Sequence, residues 1–223
     1  MATKLIVFDW DGTLMDSAAR IVNCMHAAIA DVGLAPRQDE QIRNIIGLGL
    51  RESVTALYPD IADADYAALV ARYRVHYLEV NDTPSELFDG ASDLIANLLD
   101  KGFFLAVATG KGRQGLDRVL HETGLKSAFH ATRCADEAFS KPHPQMLLEL
   151  MDMLGVEPAE TLMVGDTEYD IQMAHNARTG AVAVSYGAHE KQRLLDLTPL
   201  VCVDDLDQLS QWLLDVPGLS NVI

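Results

Sequence analysis

Four short apolar runs punctuate the chain, at positions 5–8 (Leu5-Ile6-Val7-Phe8), 103–108, 161–164 and 181–184, with a weaker one at 200–203. Runs that are apolar at every position, rather than at alternate ones, predict strands buried on both faces. Between them, apolar residues recur at helical spacing over 91–100, 115–122, 144–154 and 171–177. Strands alternating with helices predict an α/β fold built on a doubly wound, Rossmann-like parallel sheet. In such sheets ligands sit beyond the carboxyl ends of the strands, near the point where strand order reverses. Candidate chemistry is therefore sought just after each run.

One stretch breaks the alternation. From Ser17 to about Asp82 the spacing is helical throughout, as in Ile21, Val22, Met25, Ile29 and Val32, and then Ile42, Ile45 and Ile46. Leu69, Val70, Tyr73 and Tyr77 continue it. This predicts a helical domain over 17–82 inserted into a core formed by 1–16 and 83–223, with Asn81-Asp82-Thr83-Pro84 as the return hinge. The apolar spacing from Lys191 to Val216 is assigned to the edge of the core. No internal repeat or low-complexity segment is present.

Length and charge narrow the function. A chain of 223 residues can bury about 70% of its unfolded surface, so a hydrophobic core needs no disulfide support. Thirty-three Asp and Glu against 17 Lys and Arg leave a net charge of −16. That balance opposes nucleic acid and anionic membrane surfaces as partners, since both are bound by clustered cations. It permits a small anionic substrate, because a local cation or metal can outweigh the global field. Cys24, Cys134 and Cys202 are scattered and predict free thiols in a reducing compartment. The apolar run at the N-terminus is too short for a signal segment, and no run approaches the ~18 residues that span a bilayer. The expected location is cytoplasmic.

Asp9-Trp10-Asp11-Gly12-Thr13 follows the first run directly. Two carboxylates two residues apart at a strand end point in related directions, although an Asp-Gly turn with an adjacent cap fits the same letters. Val164-Gly165-Asp166-Thr167-Glu168-Tyr169-Asp170 places a second pair past another strand, at a spacing that sets Asp166 and Asp170 on one side of a helix start. Acidic clusters at neighbouring strand ends repel each other unless a cation lies between them. Oxygen-only ligands suit a hard ion, which points to Mg²⁺. Thr109-Gly110-Lys111-Gly112 precedes a helix and could hold an anion with its hydroxyl, amides and Lys; a glycine-rich connector is the plainer reading. Lys141 stands before Pro142-His143-Pro144, with Pro144 suited to the first turn of the next helix. By itself Lys141 reads as surface.

Taken together and in order, these segments resemble the four motifs of the haloacid dehalogenase superfamily. Phe8 to Leu14 is similar to the first, Thr109 to the second, Lys141-Pro142 to the third, and Gly165 to Asp170 to the fourth. The likeness spans nearly the whole chain, including a helical cap, and is greatest to the phosphoglycolate phosphatase-like and β-phosphoglucomutase-like group. It implies a Mg²⁺-dependent phosphomonoester hydrolase acting on a small phosphorylated metabolite. Asp9 would be the nucleophile that forms an aspartyl-phosphate, and Asp11 the general acid and base. Asp9, the Asp11 carbonyl and Asp166 would hold the metal, with Asp170 in direct or indirect support. Thr109 and Lys141 would take phosphoryl oxygens, aided by Gly110 and Lys111. Arg51, after the Gly47-Leu48-Gly49-Leu50 turn, would approach the substrate from the cap.

Two relatives with other chemistry fail on the letters. Haloacid dehalogenases lack the second aspartate of the first motif, which is present as Asp11. Phosphonoacetaldehyde hydrolases use a cap Lys, and 17–82 contains none. A β-phosphoglucomutase-like isomerase and a non-enzymatic binding module on the same fold stand as alternatives. Oligomeric state has no sequence signal here. Of the histidines, His26, His76 and His143 read as structural or surface groups.

Overall fold

The computed structural model describes residues 2–215, so Val216, the last residue of the expected tail, lies outside it. Along the chain, β1 (Leu5–Phe8) and β2 (Met15–Asp16) precede α1 (Ala18–Val32), α2 (Asp39–Arg43), α3 (Leu50–Leu57) and α4 (Asp63–Val75), which a π-helical turn extends over His76–Val80. Then follow β3 (Glu86–Leu87), α5 (Ala91–Asp100), β4 (Phe104–Thr109), α6 (Arg113–Glu122), β5 (Ala131–Cys134), α7 (Gln145–Leu154), β6 (Thr161–Gly165) and α8 (Glu168–Ala177). The last elements are β7 (Gly180–Val184), α9 (Lys191–Leu195), β8 (Val201–Val203) and α10 (Leu206–Asp215).

Six strands form one parallel sheet in the order β5-β4-β1-β6-β7-β8. The chain moves outward from β1 through β4 to β5, and then returns to the other side of β1 for β6, β7 and β8. Strand order therefore reverses at β1, and the crevice beyond its carboxyl end is the expected ligand position. Alternate residues of each strand feed two cores. Ile6, Phe8, Leu105, Val107, Leu162 and Val164 pack with α5, α6 and α10, while Leu5, Val7, Ala106, Ala108 and Met163 pack with α7 and α8. Burial on both faces is why these runs are apolar at every position.

Two features lay beyond the apolar pattern. β5 reads Ala-Thr-Arg-Cys and buries only Cys134, as an edge strand with little to pack. β2 and β3 pair antiparallel at the two crossings into the helical segment, and are too short to show any period. Helices α1 to α4 build a separate core around Val22, Met25, Ile29, Ile42, Val54 and Leu69. The three cysteines are free, and no helix among the described residues is long and apolar enough to cross a membrane.

Candidate active site

The carboxyl ends of β1, β4 and β6 deliver most of the singled-out residues to one place. Asp9 follows β1, and its amide donates to the Val164 carbonyl of β6 at 2.9 Å, which fixes the chain as it leaves the sheet. Asp166 follows β6, and Asp170 lies in the first turn of α8. All three carboxylates are at most 1% exposed, and each offers an oxygen within 4.8 Å of the others. Such close packing of acids needs room for the backbone. Gly12 has φ +81°, and a Cβ there would lie 2.2 Å from Asp166 Oδ2; a Cβ on Gly165 would lie 2.2 Å from the Asp170 carboxyl carbon.

Each carboxylate is oriented by donors. Asp166 accepts from the Thr13 hydroxyl (2.9 Å) and from the Ala188 amide in the loop after β7 (2.7 Å). Asp170 accepts from the amide and hydroxyl of Thr167, which together form a capping box at the start of α8. Lys141 reaches the cluster from the loop between β5 and α7, where its bond to Pro142 is cis. Its ammonium lies 2.8 Å from Asp9 Oδ1 and 2.7 Å from Asp170 Oδ1, fully buried, in ion pairs that lack hydrogen-bond geometry. Asp9 Oδ2 has no hydrogen-bond partner.

Electrostatics follow from that burial. Desolvation, together with Asp170 and Asp166 and against the pull of Lys141, holds the Asp9 carboxyl well above the usual carboxylate range. Burial and Asp170 push Asp166 up to about 7. Burial works against the charge on Lys141, but Asp170 and Asp9 outweigh it and raise its pKa. With all three carboxyls ionised, one ammonium would leave two negative charges in a buried site. A divalent hard cation fits this donor set: it matches the charge, the all-oxygen ligands and the unpartnered Asp9 Oδ2.

Asp11 has different company. Lys111 Nζ lies 2.8 Å from Asp11 Oδ1 and donates to the Tyr77 phenol at 2.6 Å, while the Ser17 hydroxyl donates to the same Asp11 oxygen. Lys111 is thus committed to Asp11 and to the π-helical turn after α4, and does not stand free in its loop. The Thr109 hydroxyl is buried and accepts from the Lys111 amide at 3.2 Å.

Asp9, Asp11, Thr109, Gly110, Lys111 and Arg51 all line one cavity of about 540 Å³ between the sheet and the helical segment. Lys141, Asp166 and Asp170 are not part of its lining but are buried beside Asp9. The helices close over it from several sides. A Cβ on Gly110 would lie 2.6 Å from the Gly47 carbonyl, and the Gly49 amide donates to Ser140 Oγ at 2.7 Å. Asn44 is held by three core residues: its carbonyl accepts from Tyr169 OH (2.9 Å) and His189 Nε2 (3.2 Å), and its side chain from Arg193 (2.7 Å). His26 pairs with Asp39, His76 with Asp31, and His143 packs on Phe139, all away from the cavity.

The residues that sequence reading missed are mainly partners. Thr13, Ser17, Thr167 and Tyr77 each had a duller reading as turn, cap or core. The Ala188 amide carries no letter at all. Its one clue is Gly187, just past the 181–184 run, where a Cβ would lie 2.3 Å from Asp166.

Comparison with known proteins places the chain in a family. The family model described as haloacid dehalogenase-like hydrolase matches residues 6–184. The chain is 34% identical over 209 residues to the "probable phosphatase IndB" of Dickeya dadantii, covering 92% of this chain and 91% of that one. It is 31% identical over 218 residues to a phosphoglycolate phosphatase of Agrobacterium fabrum, covering 96% and 93%. A solved hydrolase from Pseudomonas syringae superposes with a TM-score of 0.87 at 22% identity, covering 95% and 98%, and so shares the fold. The chain is a phosphatase and belongs to the haloacid dehalogenase-like hydrolase family.

Proposed function

We propose that this phosphatase hydrolyses a small phosphorylated metabolite in two steps, through an aspartyl-phosphate on Asp9, with Mg²⁺ as cofactor. The observation that carries the reading is Asp9 itself. It lines the cavity floor, one oxygen is fixed by Lys141, and the other is unpartnered beside Asp166 and Asp170. Asp9 would attack phosphorus, and the leaving alcohol would take a proton from Asp11. Asp11 would then accept a proton from the water that hydrolyses the ester. Lys111 and Ser17 hold the Asp11 carboxylate in place for both transfers. Thr109 and Lys141 would bind phosphoryl oxygens, where charge develops during transfer. Mg²⁺, held by Asp9, Asp166 and the Asp11 carbonyl with Asp170 in support, would neutralise phosphoryl charge when bound.

Residues 17–82 act in this reading as a cap over a core formed by 1–16 and 83–223, closing on substrate to exclude water. The protein acts in the cytoplasm on free metabolites, with neither nucleic acid nor membrane as partner. Its likeness to a phosphoglycolate phosphatase puts phosphoglycolate in the first substrate set, together with glucose 1-phosphate.

Phosphate release from para-nitrophenyl phosphate tests the metal requirement. Excess chelator should stop it, added Mg²⁺ should restore it, and Asp166→Ala should behave as the chelated enzyme does. Full activity in chelator overturns the reading.

Acid–base linkage gives a second expected result. An Asp166 carboxyl raised to about 7 keeps its proton in the folded, metal-free protein over a range where the unfolded chain, at about 3.9, has lost it. The folded state binds more protons there, so its stability falls as pH rises from about 4 to about 7. In chelator, the unfolding temperature of the wild type measured against Asp166→Asn should therefore fall across this range, and Mg²⁺ should reverse that fall at pH 8. Mg²⁺ affinity should weaken about tenfold per pH unit below about 7 for one displaced proton. A difference between wild type and Asp166→Asn that rises steadily with pH in chelator contradicts this account.

A further inference from the structure

The cavity is much larger than the phosphoryl chemistry requires. Its volume of about 540 Å³ falls within the roughly 300–1,000 Å³ of sites that enclose drug-sized ligands. Phosphoglycolate, a two-carbon ester, fills little of it.

The helical segment contributes one wall of the lining, from α1, α3, α4 and the turn that follows. Tyr66, Tyr73 and Tyr77 recur at spacings of seven and four, which places them on one face of the helix. All three line the cavity, and the rings of Tyr73 and Tyr77 stack at 5.8 Å. Arg51 and Arg74 line the same wall. The Arg51 guanidinium lies 5.4 Å from the Tyr66 ring centre, and neither arginine meets a carboxylate among the described residues. Three other arginines of the insert are engaged: Arg20 with the Tyr77 and Thr83 carbonyls, Arg37 with the Leu57 carbonyl, and Arg72 with Asp31. Glu52 is the one acid that the insert contributes to the lining, and its carboxylate is turned back against Gly49.

An aromatic face and two unpaired guanidiniums select for a flat or cyclic body that carries negative charge. We propose that the substrate is a phosphomonoester of a ring-bearing alcohol with a second anionic group. The ring lies on Tyr66 and Tyr73, with Tyr77 backing Tyr73 while Lys111 and Arg20 cover its own ring, and the anion is taken by Arg51 and Arg74. This proposal rests on the phosphatase reading above and names its substrate class. A carboxylate and a second phosphate offer the same recognition chemistry, so the test must include both.

The full-length protein with Mg²⁺ would be assayed for phosphate release from five esters. These are para-nitrophenyl phosphate, phosphoglycolate, glucose 6-phosphate, N-acetylmuramic acid 6-phosphate and glucose 1,6-bisphosphate. At least one anionic ring ester should exceed both glucose 6-phosphate and phosphoglycolate in kcat/KM by about tenfold or more. Arg51→Gln/Arg74→Gln should shrink that advantage over glucose 6-phosphate to less than twofold, mainly by raising KM. Preference for the carboxylate or the bisphosphate identifies the anion. The proposal falls if neither anionic ring ester outperforms glucose 6-phosphate, if phosphoglycolate is the best of the five, or if the double variant loses equally on charged and neutral rings. No release from any ester, para-nitrophenyl phosphate included, would instead overturn the underlying phosphatase mechanism.

Discussion

Asp9→Asn is expected to abolish turnover, with kcat falling on the order of 10⁶-fold, the scale seen when a covalent nucleophile is removed. The amide keeps the shape of the side chain but cannot attack phosphorus, so no phosphoenzyme should form. The variant should nevertheless fold. Burial beside Asp170 and Asp166 makes a charged Asp9 costly, and its neutral replacement relieves that crowding. In chelator at pH 8 the variant should unfold at or above the wild-type temperature. Loss of activity with retained stability separates a chemical role from a structural one. Substantial turnover in Asp9→Asn would remove it from the nucleophile role.

Lys141→Met carries the second large effect, and it acts on both stability and rate. Among the described residues, its ammonium is the single cation in contact with Asp9 and Asp170. Removing one partner of a buried ion pair costs about 3–5 kcal/mol, because the other charge stays buried and unmatched. The loss should be greatest at pH 8 in chelator, where three carboxylates face each other with no cation. It should shrink at pH 5, where protons can take its place. Added Mg²⁺ should recover part of the stability but not the rate. The rate should stay roughly 10²–10³-fold low, because a donor aimed at developing charge is gone. Thermal unfolding at the two pH values, with kcat measured in saturating Mg²⁺, checks both halves. Wild-type stability in chelator at pH 8 would show that Lys141 does not balance the cluster.

The parts of this site that were readable share a physical cause. Strands buried on both faces must be apolar at every position, so β1, β4, β6 and β7 marked themselves, and with them the positions where Asp9, Thr109 and Asp166 emerge. The helices flanking them showed one apolar stripe each; α5 runs Ala91–Asp100, the same bounds that the spacing predicts. β5 was hidden because an edge strand with one buried residue has no apolar pattern to show. Lys141 was ambiguous for a related reason. Six residues separate it from the end of β5, and only the fold brings its ammonium to Asp9.

Lys111 illustrates a deeper limit. Its letters suggested an anion-binding loop, but its ammonium is shared between Asp11 and Tyr77, a pairing 34 residues apart that requires the helices to sit over the sheet. The same holds for Asn44, which the helical spacing of 17–82 does not single out yet which is gripped by Tyr169, His189 and Arg193. Contacts between two separately folding patterns leave no periodicity in either. Backbone donors such as the Ala188 amide leave no trace at all.

If phosphoryl transfer passes through Asp9 with Asp11 as its proton handler, one variant exposes it. Asp11→Asn removes proton transfer, typically worth ~10²–10⁴-fold, while leaving the nucleophile intact. With para-nitrophenyl phosphate, whose leaving group needs little protonation, the first step should survive while hydrolysis of the ester slows. Rapid acid quench followed by intact-mass analysis should then show a phosphoryl adduct accumulating on Asp11→Asn, and peptide mapping should place it on Asp9. An adduct on any other residue, or undiminished phosphate release with no adduct, would contradict the account.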